Sequence, residues 1–189
     1  MTDSQAYFQY LTKKSFIGGF YRRFFLYPKI NCLLKGRTLD VGCGIGDMLK
    51  FRPNSVGVDI NPFNVEFCRS LDLEAHLMQV DQLPFNEASF DSLLLDNVLE
   101  HISDPVPLLK EVKRVMRTDG FLVIGVPGLK GQLCDLDHKA CYHEADLCEL
   151  ANRLGFTIEK FMYTPLFKST LFSRTIKQYC IYSQWTLKT

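Results

Sequence analysis

Short apolar blocks recur along the chain, each closed by a polar or glycine-rich break. Between them lie stretches whose apolar residues return every three or four positions. The blocks read as strands buried on both faces, and the periodic stretches as the helices that cover them. Strands are expected over 37–42, 55–60, 75–80 (ending at Asp81), 90–96, 120–126, 156–163 and 178–185. Asn61-Pro62 starts the helix after the second strand, with asparagine as cap and proline at the first helical position. Ser103 or Asp104 caps a helix over 105–117, a loop covers 127–142, and a helix over 143–154 stops at Gly155. Only DMLKFRPN lies between Gly46 and Ser55, so the helix after the first strand is short. Strands alternating with helices in this way build an α/β sheet.

Residues 1–36 follow a different pattern. They are crowded with rings: Tyr7, Phe8, Tyr10, Phe16, Phe20, Tyr21, Phe24, Phe25 and Tyr27. The spacings Phe16–Phe20 and Phe20–Phe24 put these rings on one helical face. Gly18-Gly19 is expected to break the segment into two helices, and Pro28 follows or bends the second. The chain therefore divides into an N-terminal helical segment, 1–36, acting as lid or packing extension, and a core domain over 37–189. In the plainer reading the rings pack these helices onto the sheet. Arg22 and Arg23 beside Phe24 and Phe25 also suit contact with a membrane interface.

Composition narrows the classes. A length of 189 residues with 47% apolar content suits one domain around one core. A net charge of +1 supplies no basic surface for a phosphate backbone, which disfavours nucleic acid. Seven cysteines lack a paired framework, and the N-terminus has no signal-peptide pattern. Both point to reduced thiols and a cytoplasmic setting. No apolar run reaches the ~18–20 residues of a spanning helix.

The chemistry concentrates where LDVGCGIGD, 39–47, is followed by VGVDIN, 56–61. A strand running into a glycine-rich turn, beside a second strand ending on an acid, makes a nucleoside cradle in a doubly wound sheet. Glycines 42, 44 and 46 let backbone N–H groups approach a ligand. Asp59 ends the neighbouring strand, where its carboxylate can accept from ribose hydroxyls. A dinucleotide fingerprint would need glycine at position 47. Asp47 stands there instead, and a carboxylate at a helix N-terminus repels pyrophosphate. A cofactor with an amino-acid moiety and no phosphate fits better, and S-adenosylmethionine is such a cofactor.

On these motifs, with DQLPFNEASFDSLLLDNVLEHISD over 81–104 and LLKEVKRVMRTDGFLVIGVP over 108–127, the chain resembles the class I S-adenosylmethionine-dependent methyltransferases. The likeness runs over roughly residues 37–160. It implies a Rossmann-like seven-stranded sheet of order 3-2-1-4-5-7-6, with the last strand antiparallel and helices on both faces. It also implies roles for matching positions. Asp40 would hold the methionine amino group, and Gly42, Cys43 and Gly44 would present backbone to the methionine part. Asp59 would bind the ribose, and Ile60 would pack on the adenine face. Asp81 would accept from the adenine amino group with the Gln82 backbone nearby. Asn97 and Val98 would line the pocket floor.

The acceptor is less defined. Methyl transfer to a hydroxyl needs a base, for which histidine is suited near neutrality. His101 lies in NVLEHI, while His138 and His143 lie in a stretch that in similar family members lines the acceptor pocket; these three are the candidates, and His76 reads as structural. Methylases of amino groups on bases or glutamine carry an Asn/Asp-Pro-Pro-aromatic tetrad after strand four, where this chain has DNVL. A small-molecule or glycan acceptor, methylated on oxygen to leave S-adenosylhomocysteine, is therefore expected. Cys134, Asp137, His138, Cys141, His143 and Cys148 lack the paired spacings of zinc sites, so no metal is expected. Two other classes compete. A non-catalytic module keeping the fold is supported by the short first helix, and a nicotinamide oxidoreductase is opposed by Asp47.

Overall fold

The structure, a computed structural model, describes residues 3–13, 16–135 and 137–188; the side chains of Asp3, Phe16 and Ile17 also lie outside the description. Seven strands form one sheet: β1 (Thr38–Val41), β2 (Ser55–Asp59), β3 (Ala75–Leu77), β4 (Phe90–Asp96), β5 (Met116–Pro127), β6 (Phe156–Thr164) and β7 (Cys180–Leu187). Their order is β3-β2-β1-β4-β5-β7-β6. The first five are parallel, and β7 runs antiparallel between β5 and β6.

The alternation of the central strands explains the two-sided cover. Leu93 and Leu95 of β4 and Leu122, Ile124 and Val126 of β5 share one core with Leu108, Leu109, Val112 and Val115 of the helix Val106–Val115. Leu94 and Val123, pointing the other way, pack with Leu26, Tyr27, Ile30 and Leu33 of the N-terminal segment. A parallel sheet needs both faces buried, and here one is covered from residues 1–36.

That segment comprises α1 (Asp3–Thr12), α2 (Phe16–Tyr21), a π-helical turn (Arg22–Leu26) and α3 (Tyr27–Asn31). It differs from expectation in two ways. Gly18-Gly19 sits inside α2 and does not break it, because the helix continues directly into the π turn. The rings of Phe20 and Phe24 do meet, with centroids 4.5 Å apart, but they and Phe25 are exposed. The packing instead runs through Leu26, Tyr27 and Ile30. Phe16, the first ring of that expected ladder, falls outside the described side chains. Phe8 anchors α1 by meeting Phe63 and Phe67 of the helix α5 (Pro62–Arg69).

The remaining helices, in chain order, are α4 (Asp47–Phe51), α6 (Val106–Val115), α7 (Leu129–Gln132), α8 (Glu144–Leu154) and α9 (Thr170–Thr175). The Asn61 side chain caps α5 by accepting from Phe63 N at 3.0 Å. Gly155 ends α8 at φ +76°. Two boundaries move. β3 ends at Leu77, well before Asp81, because the chain turns back on itself in a Gln79–Gln82 bridge. β5 begins at Met116, taking residues expected in the preceding helix. Among the described residues no helix is long and apolar enough to cross a membrane.

Candidate active site

The strand order reverses between β1 and β4, so the connections leaving their C-terminal ends diverge and leave a crevice. The glycine loop after β1 borders it. Gly42 and Gly44 adopt φ +76° and +54°. At Gly42 a Cβ would sit 2.7 Å from Val98 Cγ2, so only glycine lets the loop pass the chain leaving β4. The Asp59 carboxylate locks this loop to the next one. Its Oδ2 accepts from Gly44 N and its Oδ1 from Asn61 N, both at 2.8 Å. Each oxygen keeps a further lone pair.

A cavity of about 1050 Å³ opens here. Asp40, Gly42, Gly44, Asp59 and the exposed Ile60 lie on one side, and Glu100, His101, Asp135 and His138 on another. Tyr7, Tyr10 and Leu11 of α1 and Arg22 of the π turn also line it. Arg22 Nε lies 3.6 Å from Asp47 Oδ2, tying the segment to the glycine loop. Asp96, Asn97 and Val98 line the floor, where Asp96 Oδ1 accepts from Tyr182 Oη at 2.7 Å and Asn97 Nδ2 at 2.9 Å. β7 is antiparallel, so its first residues reach this end of the sheet; sequence reading did not anticipate Tyr182 there.

The electrostatics at the first end are one-sided. Burial, then the neighbouring carboxylates Asp96 and Asp59, raise the Asp40 carboxyl well above the usual range. Burial also raises Asp59, although the Asn61 and Gly44 N–H groups oppose it. The Tyr7 phenol is pushed up to about 12, by burial and then by Asp59, and so stays neutral. Three acids facing one cavity favour a cationic ligand.

The other end is built on a short 3₁₀ turn, Leu99–His101, after β4. Glu100 is fully buried, and neither carboxylate oxygen has a hydrogen-bond partner. Burial pushes its carboxyl up to about 8, with Asp96 and Asp135 adding repulsion. The loop bearing His138 is held to this turn by its backbone: Lys139 N and Ala140 N donate to Glu100 O at 2.7 and 3.1 Å. His101 and His138 therefore meet edge to face, with centroids 4.7 Å apart. Burial, followed by His138, lowers the His101 pKa, which keeps it neutral.

Of the residues singled out in the sequence, Asp40, Gly42, Cys43, Gly44, Asp59, Ile60, Asn97, Val98, His101 and His138 line this one cavity. Asp81 and Gln82 are exposed and lie outside its wall, where Met78 and Val80 stand instead. His143 is also apart. It is the exposed first residue of the α8 cap, its backbone N–H donating to Asp146 Oδ2 at 2.7 Å. Glu100 and Asp135 were not anticipated. The one local signal for Glu100 is an acid directly after the apolar pair Val98-Leu99.

Sheet order, crevice and glycine loop define a class, and a match in sequence agrees with it. Residues 39–124 match the family model described as methyltransferase domain. Fold and match together support a class I S-adenosylmethionine-dependent methyltransferase, with the sequence match lying over less than half of the chain. Its relatives are diverse. The chain is 32% identical over 92 residues to an uncharacterised protein of Methanocaldococcus jannaschii, covering 49% of this chain and 45% of that one. It is 33% identical over 115 residues to the tRNA U34 carboxymethyltransferase of Nautilia profundicola, covering 55% and 38%. The chain thus spans less than half the length of these relatives. A crystal structure of an S-adenosylmethionine-dependent methyltransferase from Thermotoga maritima superposes with a TM-score of 0.77 over all of both chains, at 20% identity.

The cofactor of this class is S-adenosylmethionine, and the cavity suits it. The buried acids match a ligand that carries an ammonium and a sulfonium. At Gly44 the nearest atom to a built Cβ is Leu11 Cδ1 at 3.5 Å, so the space a side chain would take is open to a ligand.

Proposed function

We propose that the chain transfers a methyl group from S-adenosylmethionine to an oxygen of a small molecule or glycan. The observation that carries this is one cavity with a cation-favouring acidic end and an imidazole-bearing end. Bound S-adenosylmethionine supplies an electrophilic methyl group on sulfur. In this reading the spare lone pairs of Asp59 accept from the ribose hydroxyls, and Ile60 flanks the adenine. Asp40 and Asp96 face the cationic end. Asp81 and Gln82, expected at the adenine, would reach it only if the 79–82 turn moved; Met78 and Val80 take that wall in our proposal. Residues 1–36 act as a roof, with Tyr7 and Tyr10 excluding water above the reacting atoms.

The proton from the acceptor leaves at the other end. The Gln132 carbonyl, 3.1 Å from His138 Nδ1, can only accept, so Nδ1 carries the ring hydrogen and Nε2 offers its lone pair. Neutral His101 lies beside it. His143, exposed in a helix cap, is the weakest of the three candidates. Holding both reactants in line is itself worth roughly 7–11 kcal/mol. The relatives that act on tRNA suggest another acceptor, but a net charge of +1 gives such a reading little electrostatic support.

The test is thermal unfolding with S-adenosylhomocysteine, with NAD as control. A ligand at ~100 times its dissociation constant stabilises by about 2.7 kcal/mol. For a domain of this size that raises the melting temperature by roughly 5–10 °C. A shift with the product alone supports the cofactor. Its absence removes the catalytic reading.

A further inference from the structure

We infer that Glu100, His101 and His138 form a binding site for one divalent transition-metal ion at the acceptor end of the cavity. Their donor atoms lie within 4.8 Å of one another. Ligands at ~2.0–2.2 Å from a shared ion sit about 3–4 Å apart, so small side-chain rotations close the set.

Three features argue that the cluster is built for a cation. The first is Glu100. A fully buried carboxylate with two unpartnered oxygens is costly unless a cation or proton compensates it. The second is the orientation of the imidazoles. His138 donates Nδ1–H to the Gln132 carbonyl, and the His101 ring is set edge to face against it, with centroids 4.7 Å apart. Metal-bound histidines are oriented in this way, one ring nitrogen tied to the protein and the other left to ligate. The third is the Asp135 carboxylate, 3.9 Å from His138 Nε2. An ion held by the three donors would face this further carboxylate as well.

Two imidazoles and one carboxylate suit zinc, manganese, cobalt or iron better than calcium or magnesium, which prefer all-oxygen shells. Three protein donors leave positions open toward the cavity, the arrangement of a catalytic site and not a structural one. Spacing alone did not reveal it, because Glu100 and His138 are joined only through the backbone contacts of the loop. Resting on the oxygen-acceptor reading above, the ion would acidify a hydroxyl bound in an open position. The proton would then pass to Asp135, because ligation occupies the lone pair of His138 Nε2.

The experiment is a titration of the metal-free full chain with Mn²⁺ alone, followed by the loss of the free-ion EPR signal, then with Co²⁺ followed by its visible absorption. Mn²⁺ is chosen because it avoids the exposed thiols of Cys134 and Cys141. We expect one ion per chain. Glu100→Gln and His138→Ala should each weaken uptake at least ~10–100-fold, the loss caused even by removing an outer-shell partner. Glu100→Gln keeps the side-chain shape, and His138→Ala lies on a loop and serves if the first variant unfolds. No saturable uptake of either ion, or uptake unchanged in the variants, overturns the site. The thermal shift with S-adenosylhomocysteine is read on the same samples. Ion uptake without that shift keeps the ion and sinks the cofactor reading, whereas the shift without uptake does the reverse.

Discussion

The two ends of the cavity are built by different means. The end we propose for the cofactor is backbone-made: positive-φ glycines, and one carboxylate clamped between two N–H groups that are close in sequence to the strands bearing them. The end we propose for the acceptor is made of side chains brought together from the turn after β4 and from a loop that returns after β5 and α7. There the carboxylate of Glu100 has no hydrogen-bond partner, whereas that of Asp59 at the first end has two. A site satisfied before any ligand arrives recognises a fixed molecule. One that leaves buried polar atoms unsatisfied still requires something, whether proton, ion or substrate.

This contrast can be broken by mutation. The largest effect is expected at the acceptor end: His138→Ala should lower turnover about 10²–10⁴-fold while cofactor affinity stays within about threefold. Equal losses in both would merge the two ends into one unit. Asp59→Ala should do the opposite and weaken S-adenosylhomocysteine about 100-fold by calorimetry, since charged hydrogen bonds are worth ~1.5–3 kcal/mol each. Unchanged affinity would falsify the cofactor end as described. Gly44→Val should weaken binding roughly tenfold. The left-handed backbone costs a side chain ~1–2 kcal/mol, and the new methyl groups enter the cavity.

Smaller effects sharpen the boundary. His143→Ala should leave turnover within twofold and cost the protein up to ~1 kcal/mol through the α8 cap. A large fall in turnover would return His143 to the site. The pH dependence tests the acidic cluster. The folded-state pKa of Asp40 is raised above its unfolded value, by burial and then by Asp96 and Asp59, so the folded chain holds its proton longer. Its contribution is fully present below the unfolded pKa of about 4 and is lost as pH rises through the folded pKa, with a slope of up to ~1.4 kcal/mol per unit. Denaturant titrations of the ligand-free protein should show that decline, and Asp40→Asn should flatten it. An unchanged slope in Asp40→Asn would place the proton elsewhere.

Much of this molecule could be read before its structure. Apolar blocks located all seven strands, Asn61-Pro62 and Gly155 marked helix ends, and LDVGCGIGD with VGVDIN marked the glycine loop that borders the cavity, since each depends on residues close in the chain. The misplacements share one cause. Gly18-Gly19 was expected to interrupt a helix, but the packing of Leu26, Tyr27 and Ile30 on the sheet holds the segment helical through it. The apolar pattern runs on past the end of β3 because Met78 and Val80 serve the cavity wall and not the strand.

The sequence by itself determined the local chemistry: where backbone can turn left-handed, and that β2 ends on Asp59 beside the glycine loop. Only the tertiary structure decided which of three histidines share a cavity and that a buried glutamate stands with them. The reason is physical. Glycine conformation and strand-end placement are properties of a few neighbouring residues. The meeting of Glu100 with His138 depends on two backbone hydrogen bonds across the chain reversal after β5, and no periodicity or spacing records those.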